Sequence, residues 1–106
     1  MTFKVDPILA ALADPTRRHV VELLRHGPKP AGELARRTHS SAPAISRHLR
    51  VLRESGLVEA RVDEADARLR LYRLRRRPFR DLQAWLDQVD AFWGEQLASF
   101  ERHTRR

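Results

Sequence analysis

Apolar residues first recur at helical spacing. Val5, Ile8, Leu9 and Leu12 form one stripe, and Val20, Val21, Leu23 and Leu24 form a second. Each stripe starts on an Asp-Pro pair, Asp6-Pro7 and Asp14-Pro15. Such a pair predicts an Asp N-cap followed by a Pro at the first helical position. Gly27-Pro28 stops the second helix. A short third helix, residues 31–38, is anchored by Leu34. After the polar turn THSS (residues 38–41), Ser41 caps a fourth helix, with Pro43 tolerated in its first turn. Ile45, Leu49 and Leu52 form its inner side, and Gly56 ends it. Two helices joined by so tight a turn predict a helix-turn-helix over residues 31–55.

The period then changes. LVEARV (residues 57–62) alternates, with Val58, Ala60 and Val62 on one face. RLRLYRL (residues 68–74) alternates again and carries Arg68, Arg70 and Arg73. Together they predict a β-hairpin over residues 57–74 with a basic second strand. The intervening DEADA has no Gly, so the loop is longer than a two-residue turn. Pro78 opens a last helix, residues 78–103. Leu82, Trp85, Leu86, Val89, Phe92, Trp93, Leu97 and Phe100 share one broad face of it. That face is too wide to serve one small core alone, and exposed apolar patches of this size mark interfaces. A homodimer is therefore expected. Gly94, at a helix-interior cost of about 1 kcal/mol, predicts close helix approach or a small pocket. The tail HTRR is expected to fray. The fold class is mainly α with a small β-hairpin wing, a single domain over residues 1–106.

The outward face of the fourth helix gives these elements a purpose. Ala42, Pro43, Ser46, Arg47 and Arg50 lie opposite the apolar side. Small residues at the start permit close approach, and a hydroxyl and a guanidinium fork follow. A helix reading base edges in a DNA major groove needs that combination. Arg47 is the foremost candidate, with a solvated surface arginine as the plain alternative. Ser46 either contacts DNA or back-bonds to a helix carbonyl. His48 lies between the two faces and suits either DNA contact or a hydrogen bond to a neighbouring helix. Arg68 and Arg70 on the hairpin, and Arg17 and Arg18 at the start of the second helix, are candidate phosphate contacts. Arg75 to Arg77 read as a solvated connector.

Charge agrees with a polyanionic partner. The 106 residues hold 21 Lys and Arg against 14 Asp and Glu, a formal charge of +7. There is no cysteine, which excludes disulfides, iron–sulfur clusters and thiolate metal sites. The opening stretch reads as neither a signal peptide nor a membrane span, so a cytoplasmic protein is expected. His19, His26, His39 and His103 share no short ligand spacing, and no metal or other cofactor is expected. His39, Ser40 and Ser41 sit in one turn without an acid, oxyanion site or glycine elbow. They read as turn and cap residues, not as catalytic ones.

The words in this pattern resemble the ArsR family of bacterial repressors, and within it the cysteine-free members. ALADPTRR (residues 11–18), GEL (residues 32–34), SAPAISRHLRVLRESGLV (residues 41–58), RLYRL (residues 70–74) and the spaced WL, FW and L of the last helix carry the likeness. It implies a winged helix-turn-helix repressor of double-stranded DNA, read by the fourth helix from its Ser41 cap onward. It also implies a dimer through the first and last helices, which would place Leu9 in the seam with the aromatic stripe. Metal-sensing relatives carry Cys-x-Cys at the two positions held here by Pro30 and Gly32. A second family metal site on the last helix is only half present, with Asp90 followed by Phe92 and His103 by Arg106. The resemblance leaves the effector unknown. It leaves open a metal- or ligand-responsive regulator of the same fold, and a protein-interaction module whose basic face takes an acidic protein.

Overall fold

The computed structural model describes residues 3–104. The elements are α1 (Asp6–Leu12), α2 (Pro15–Leu24), β1 (Lys29–Pro30), α3 (Ala31–Arg37), α4 (Ala42–Glu54), β2 (Val58–Val62), β3 (Arg70–Leu74) and α5 (Arg76–Thr104). The start of α2 follows the expected chemistry. The Asp14 carboxylate accepts from the Arg17 N–H at 3.1 Å, and Pro15 takes the first helical position. The start of α1 does not. Val5 is its N-cap and Asp6 is already helical, and the Asp6 carboxylate accepts from the upstream Phe3 N–H at 2.8 Å. An Asp turned back on Phe3, three residues upstream, cannot also cap the helix ahead of it.

The turn between α3 and α4 has a definite form. The His39 N–H donates to the Arg36 carbonyl (3.3 Å) and the Ser40 N–H to the Ala35 carbonyl (2.9 Å). These two bonds are the Schellman pattern, which requires a left-handed residue after the helix. His39 supplies it, with φ of 54°. Ser41 then caps α4 by accepting from the Ala44 N–H at 3.2 Å. The other end of α4 repeats the pattern with Gly56, φ +81°, and the Leu57 N–H donates to the Leu52 carbonyl at 3.0 Å. That turn delivers Leu57, fully buried, into the core.

The sheet has three antiparallel strands in the order β1-β3-β2. The hairpin is as expected, with Val58 opposite Leu74 and Ala60 opposite Tyr72. A third strand adds to it: Lys29 and Pro30, to which the sequence pattern assigns no element, pair with Tyr72 and Leu71. The shared face of β2 also fades along its length. Val58 is buried and Ala60 half-buried, whereas Val62, out toward the tip, is 58% exposed.

The core lies where α2, α3 and α4 meet the sheet. Val20, Leu34, Leu52 and Leu57 are fully buried there, with Ile45, Leu49 and Val58 around them. Ile8 and Ala11 bring α1 onto the same cluster, while Leu9 on its outer side is 40% exposed. α5 begins two residues before Pro78. Arg76 and Arg77 are therefore its first turn and not a connector, and Pro78 sits where its missing N–H leaves no helical bond unmade. Phe79 and Leu82 pack on the core, and from Leu86 to His103 every residue is exposed. The helix projects outward, and the molecule measures 69 × 28 × 26 Å. His103 and Thr104, expected to fray, are helical, whereas Arg105 and Arg106 of the same tail lie outside the described residues.

Candidate nucleic-acid interface

α4 presents its two faces as the sequence predicts. Ile45, Leu49 and Leu52 point into the core, and Ser41, Ala42, Pro43, Ser46, Arg47 and Arg50 are exposed. Among the described residues, no side chain pairs with Arg47 or Arg50. Two guanidinium forks therefore stand on a helix whose other side is locked in place. The Ser41 hydroxyl accepts from Ala44, which leaves its O–H free to donate to an acceptor outside the chain. The N-terminal N–H groups offer an anion little. Pro43 has none, Ala44 gives its own to the Ser41 side chain, and Ile45 gives its own to the Ser41 carbonyl at 2.9 Å.

His48 is half-buried, and its Nδ1 lies 3.3 Å from Arg17 Nη1. Arg17 also donates from Nε to the Ala11 carbonyl (2.6 Å) and from Nη2 to the Ala10 carbonyl (3.3 Å). Arg18 donates to the Leu12 carbonyl at 2.8 Å. Both arginines thus cap the last turn of α1, where carbonyls lack helical partners and the helix dipole favours cations. Arg17 also ties α1 to α4. This is a different duty from the phosphate contact expected of them, and for His48 it is the helix-to-helix alternative.

The wing carries its own counter-charges. Arg68 folds onto Asp66, Nε to Oδ1 at 3.1 Å, while its side chain stays 91% exposed. The Asp66 carboxylate is held below its ordinary pKa, first by that side-chain bond and then by the Arg68 N–H. At the base of the hairpin, Glu59 takes a hydrogen bond from Arg73 opposite it and lies 3.3 Å from Arg61 and 3.9 Å from Arg75. Those arginines, Arg73 first, hold its carboxyl low. Arg70 is exposed and has no partner among the described residues. Of the basic wing residues it is the one left with its charge to offer.

Sequence reasoning missed two members of this surface. Arg53, exposed on the last turn of α4 and unpaired among the described residues, lines a cleft with Arg50 beside β2. Arg36, exposed next to the α3–α4 turn, is likewise unpaired among the described residues. For Arg53 the signal was the absence of an acid three or four residues away; Arg36 gave none, because Glu33 stands three residues before it and pairs instead with Arg37 at 3.1 Å. Ser40 and Thr38 form a hydroxyl pair at 2.9 Å, which closes the turn. Among the described residues no three His, Asp or Glu side chains converge as a metal site would need. No described helix is long and apolar enough to cross a membrane.

Known proteins share this arrangement. A family model described as "Bacterial regulatory protein, arsR family" matches residues 14–60. The HTH-type transcriptional regulator Rv2034 of Mycobacterium tuberculosis is 42% identical over 95 residues, covering 90% of this chain and 83% of that protein. The chain belongs to the ArsR family. The ArsR-family match runs from the Asp14 cap to Ala60 in β2, so it contains the whole helix-turn-helix and stops inside the wing. The transcriptional repressor SdpR of Bacillus subtilis is 35% identical over 54 residues, 51% of this chain and 60% of SdpR. A solution NMR structure of the homodimeric winged helix-turn-helix DNA-binding domain of Mb0332 from Mycobacterium bovis superposes with a TM-score of 0.62. It is 26% identical, covering 89% of this ArsR-family chain and 82% of that one. Mb0332 is described as a possible ArsR-family transcriptional regulator.

Proposed function

We propose that this ArsR-family protein represses transcription by binding an inverted-repeat operator as a homodimer. The observation that carries the reading is the outer face of α4, where unpaired Arg47 and Arg50 follow the small residues Ala42 and Pro43. In this reading α4 enters the major groove. Arg47 spans guanine O6 and N7, and Ser46 contacts a neighbouring base edge or phosphate. Ser41 and Arg70 hold the DNA backbone, with Arg36 and Arg53 at the flanks. Backbone contacts supply most of the affinity, and base contacts supply the preference. Arg17, Arg18 and His48 set the angle of α4 from behind.

The second copy is drawn to α5. Leu86, Val89, Phe92, Trp93 and Leu97 are each at least 37% exposed along one face, with Leu9 of α1 open as well. Leu82, half-buried, continues that face onto the monomer's own core, and half-buried Trp85 lines a cleft with Phe3 and Val5. Homodimeric Mb0332 and the repressor SdpR support the stoichiometry and the sign. Binding over a promoter would exclude polymerase, and a DNA partner places the protein in the cytoplasm. No catalytic residue is assigned.

Selecting bound fragments from random or genomic DNA tests the proposal. A two-fold symmetric motif is expected, its half-sites about one helical turn, roughly 34 Å, apart. Affinity for it should fall steeply from low to moderate salt as counterions are released. Equal retention of all sequences would overturn the operator reading and favour an acidic protein partner.

A further inference from the structure

We propose that the cleft between α2, the end of β3 and the start of α5 binds a small amphipathic anion, an aliphatic or aromatic body bearing a carboxylate. The cleft holds about 640 Å³, within the range of roughly 300–1,000 Å³ typical of small-molecule sites. Its floor is apolar: Val21, Leu74 and Phe79 are half-buried and rest on the core. Its rim is cationic, with Arg25, Arg76 and Arg80 around the opening.

Charge defines the occupant. Counting Arg75, four guanidinium groups line the cleft against the single carboxylate of Glu22. Glu22 is engaged with Arg25 at 2.7 Å, and Arg75 lies 3.9 Å from Glu59. Arg76 and Arg80 have no partner among the described residues. Two uncompensated forks beside an apolar floor suit a carboxylate, which arginine binds bidentately, joined to a body that leaves water for the floor. A bare phosphate would use the rim and leave the floor wet. A cationic amphiphile would use the floor and be repelled by the rim.

The cationic rim of the cleft is turned away from the exposed stripe of α5. At about 100° per residue, Arg80 and Val89 lie on opposite sides of the helix. Arg76, Phe79, Arg80 and Gln83 form the row that faces α2 and β3. Leu74 and Arg76 also flank the junction between wing and long helix, so an occupant would touch both.

Titration of the full chain with sodium decanoate, below its micelle range and without DNA, tests the site. Its result is therefore independent of the operator reading. Decanoate is expected to bind at submillimolar concentration, shifting the methyl resonances of Val21 and Leu74. Decyltrimethylammonium and inorganic phosphate should bind at least tenfold more weakly. Arg76→Glu combined with Arg80→Glu should weaken decanoate tenfold or more, and the milder Arg76→Gln with Arg80→Gln by severalfold. Arg102→Glu, a single charge reversal of the same kind far along α5, should leave it within twofold. Equal binding of the cationic amphiphile, insensitivity to both rim variants, or shifts centred on Trp93 and Leu97 would each overturn the proposal.

Discussion

Arg17 and Arg47 have the same side chain and opposite surroundings. Arg47 stands exposed on α4 with no partner among the described residues, whereas Arg17 is held by two α1 carbonyls and His48. Arg47→Ala should therefore leave stability nearly unchanged. It should cost about 1–3 kcal/mol of operator affinity and relax preference at one base pair per half-site. A titration against operator variants checks this, and uniform weakening on all of them would make Arg47 a phosphate contact. Asp14 makes the converse case, a charge used for folding. Its carboxyl is held low chiefly by the Arg17 N–H, with the positive field of His48 and Arg17 adding to it and desolvation opposing. A depressed carboxyl stabilises the fold at pH values above its unfolded pKa, and loses that contribution as pH falls through the lower folded value. Asp14→Ala should cost about 1 kcal/mol at neutral pH. In urea unfolding, the gap from the unaltered chain should narrow as pH drops below about 4. At this scale the sequence is only half legible. It shows that Arg47 points outward, because helix phase alone decides that. It hides the fate of Arg17, whose carbonyl partners are exposed only once α1 ends and turns back.

Among the elements, α2 and α4 are readable nearly to the residue because local chemistry writes their ends. Asp14, Ser41 and Gly56 each cap in place. β1 is invisible for the opposite reason. Two residues carry no period, and Pro30 lacks the N–H that a strand normally offers. Only the Tyr72 strand beside it makes Lys29 and Pro30 a strand. The α3–α4 turn lies between these cases: THSS reads as a turn, but nothing local says that His39 takes positive φ. Left-handed backbone is unfavourable for a side chain with a Cβ and free for glycine. His39→Gly should therefore gain up to about 1 kcal/mol, raising the melting temperature by roughly 4–8 °C. Calorimetry checks it, and a fall in melting temperature would show that the imidazole makes a contact worth more than the relief.

Over the whole molecule, the formal charge of +7 misleads unless it is divided. Glu59 and Asp66 absorb much of the wing, Glu22 and Glu33 take one helix arginine each, and α1 takes two more. Among the described residues the unpaired remainder lies mostly on α4 and at the root of α5, with Arg36 and Arg70 beside them, a distribution that a total cannot reveal. The aromatic stripe is legible as an open apolar face, because its helical spacing continues well beyond the part of α5 that meets the core. Trp93 is 59% exposed, so Trp93→Asp should leave the monomer fold intact and separate the copies. Analytical ultracentrifugation should then find a single protomer, and operator affinity should fall with it. A dimer surviving that change would place the seam elsewhere. α5 is gripped only along its first turns and extends about 43 Å in all. In a pair it would work as a long-armed scissor. A tilt of about 5° at Phe79 carries the far tip roughly 3 Å. How widely the two reading heads stand apart would then be governed from the pivot, at a distance from every base they touch.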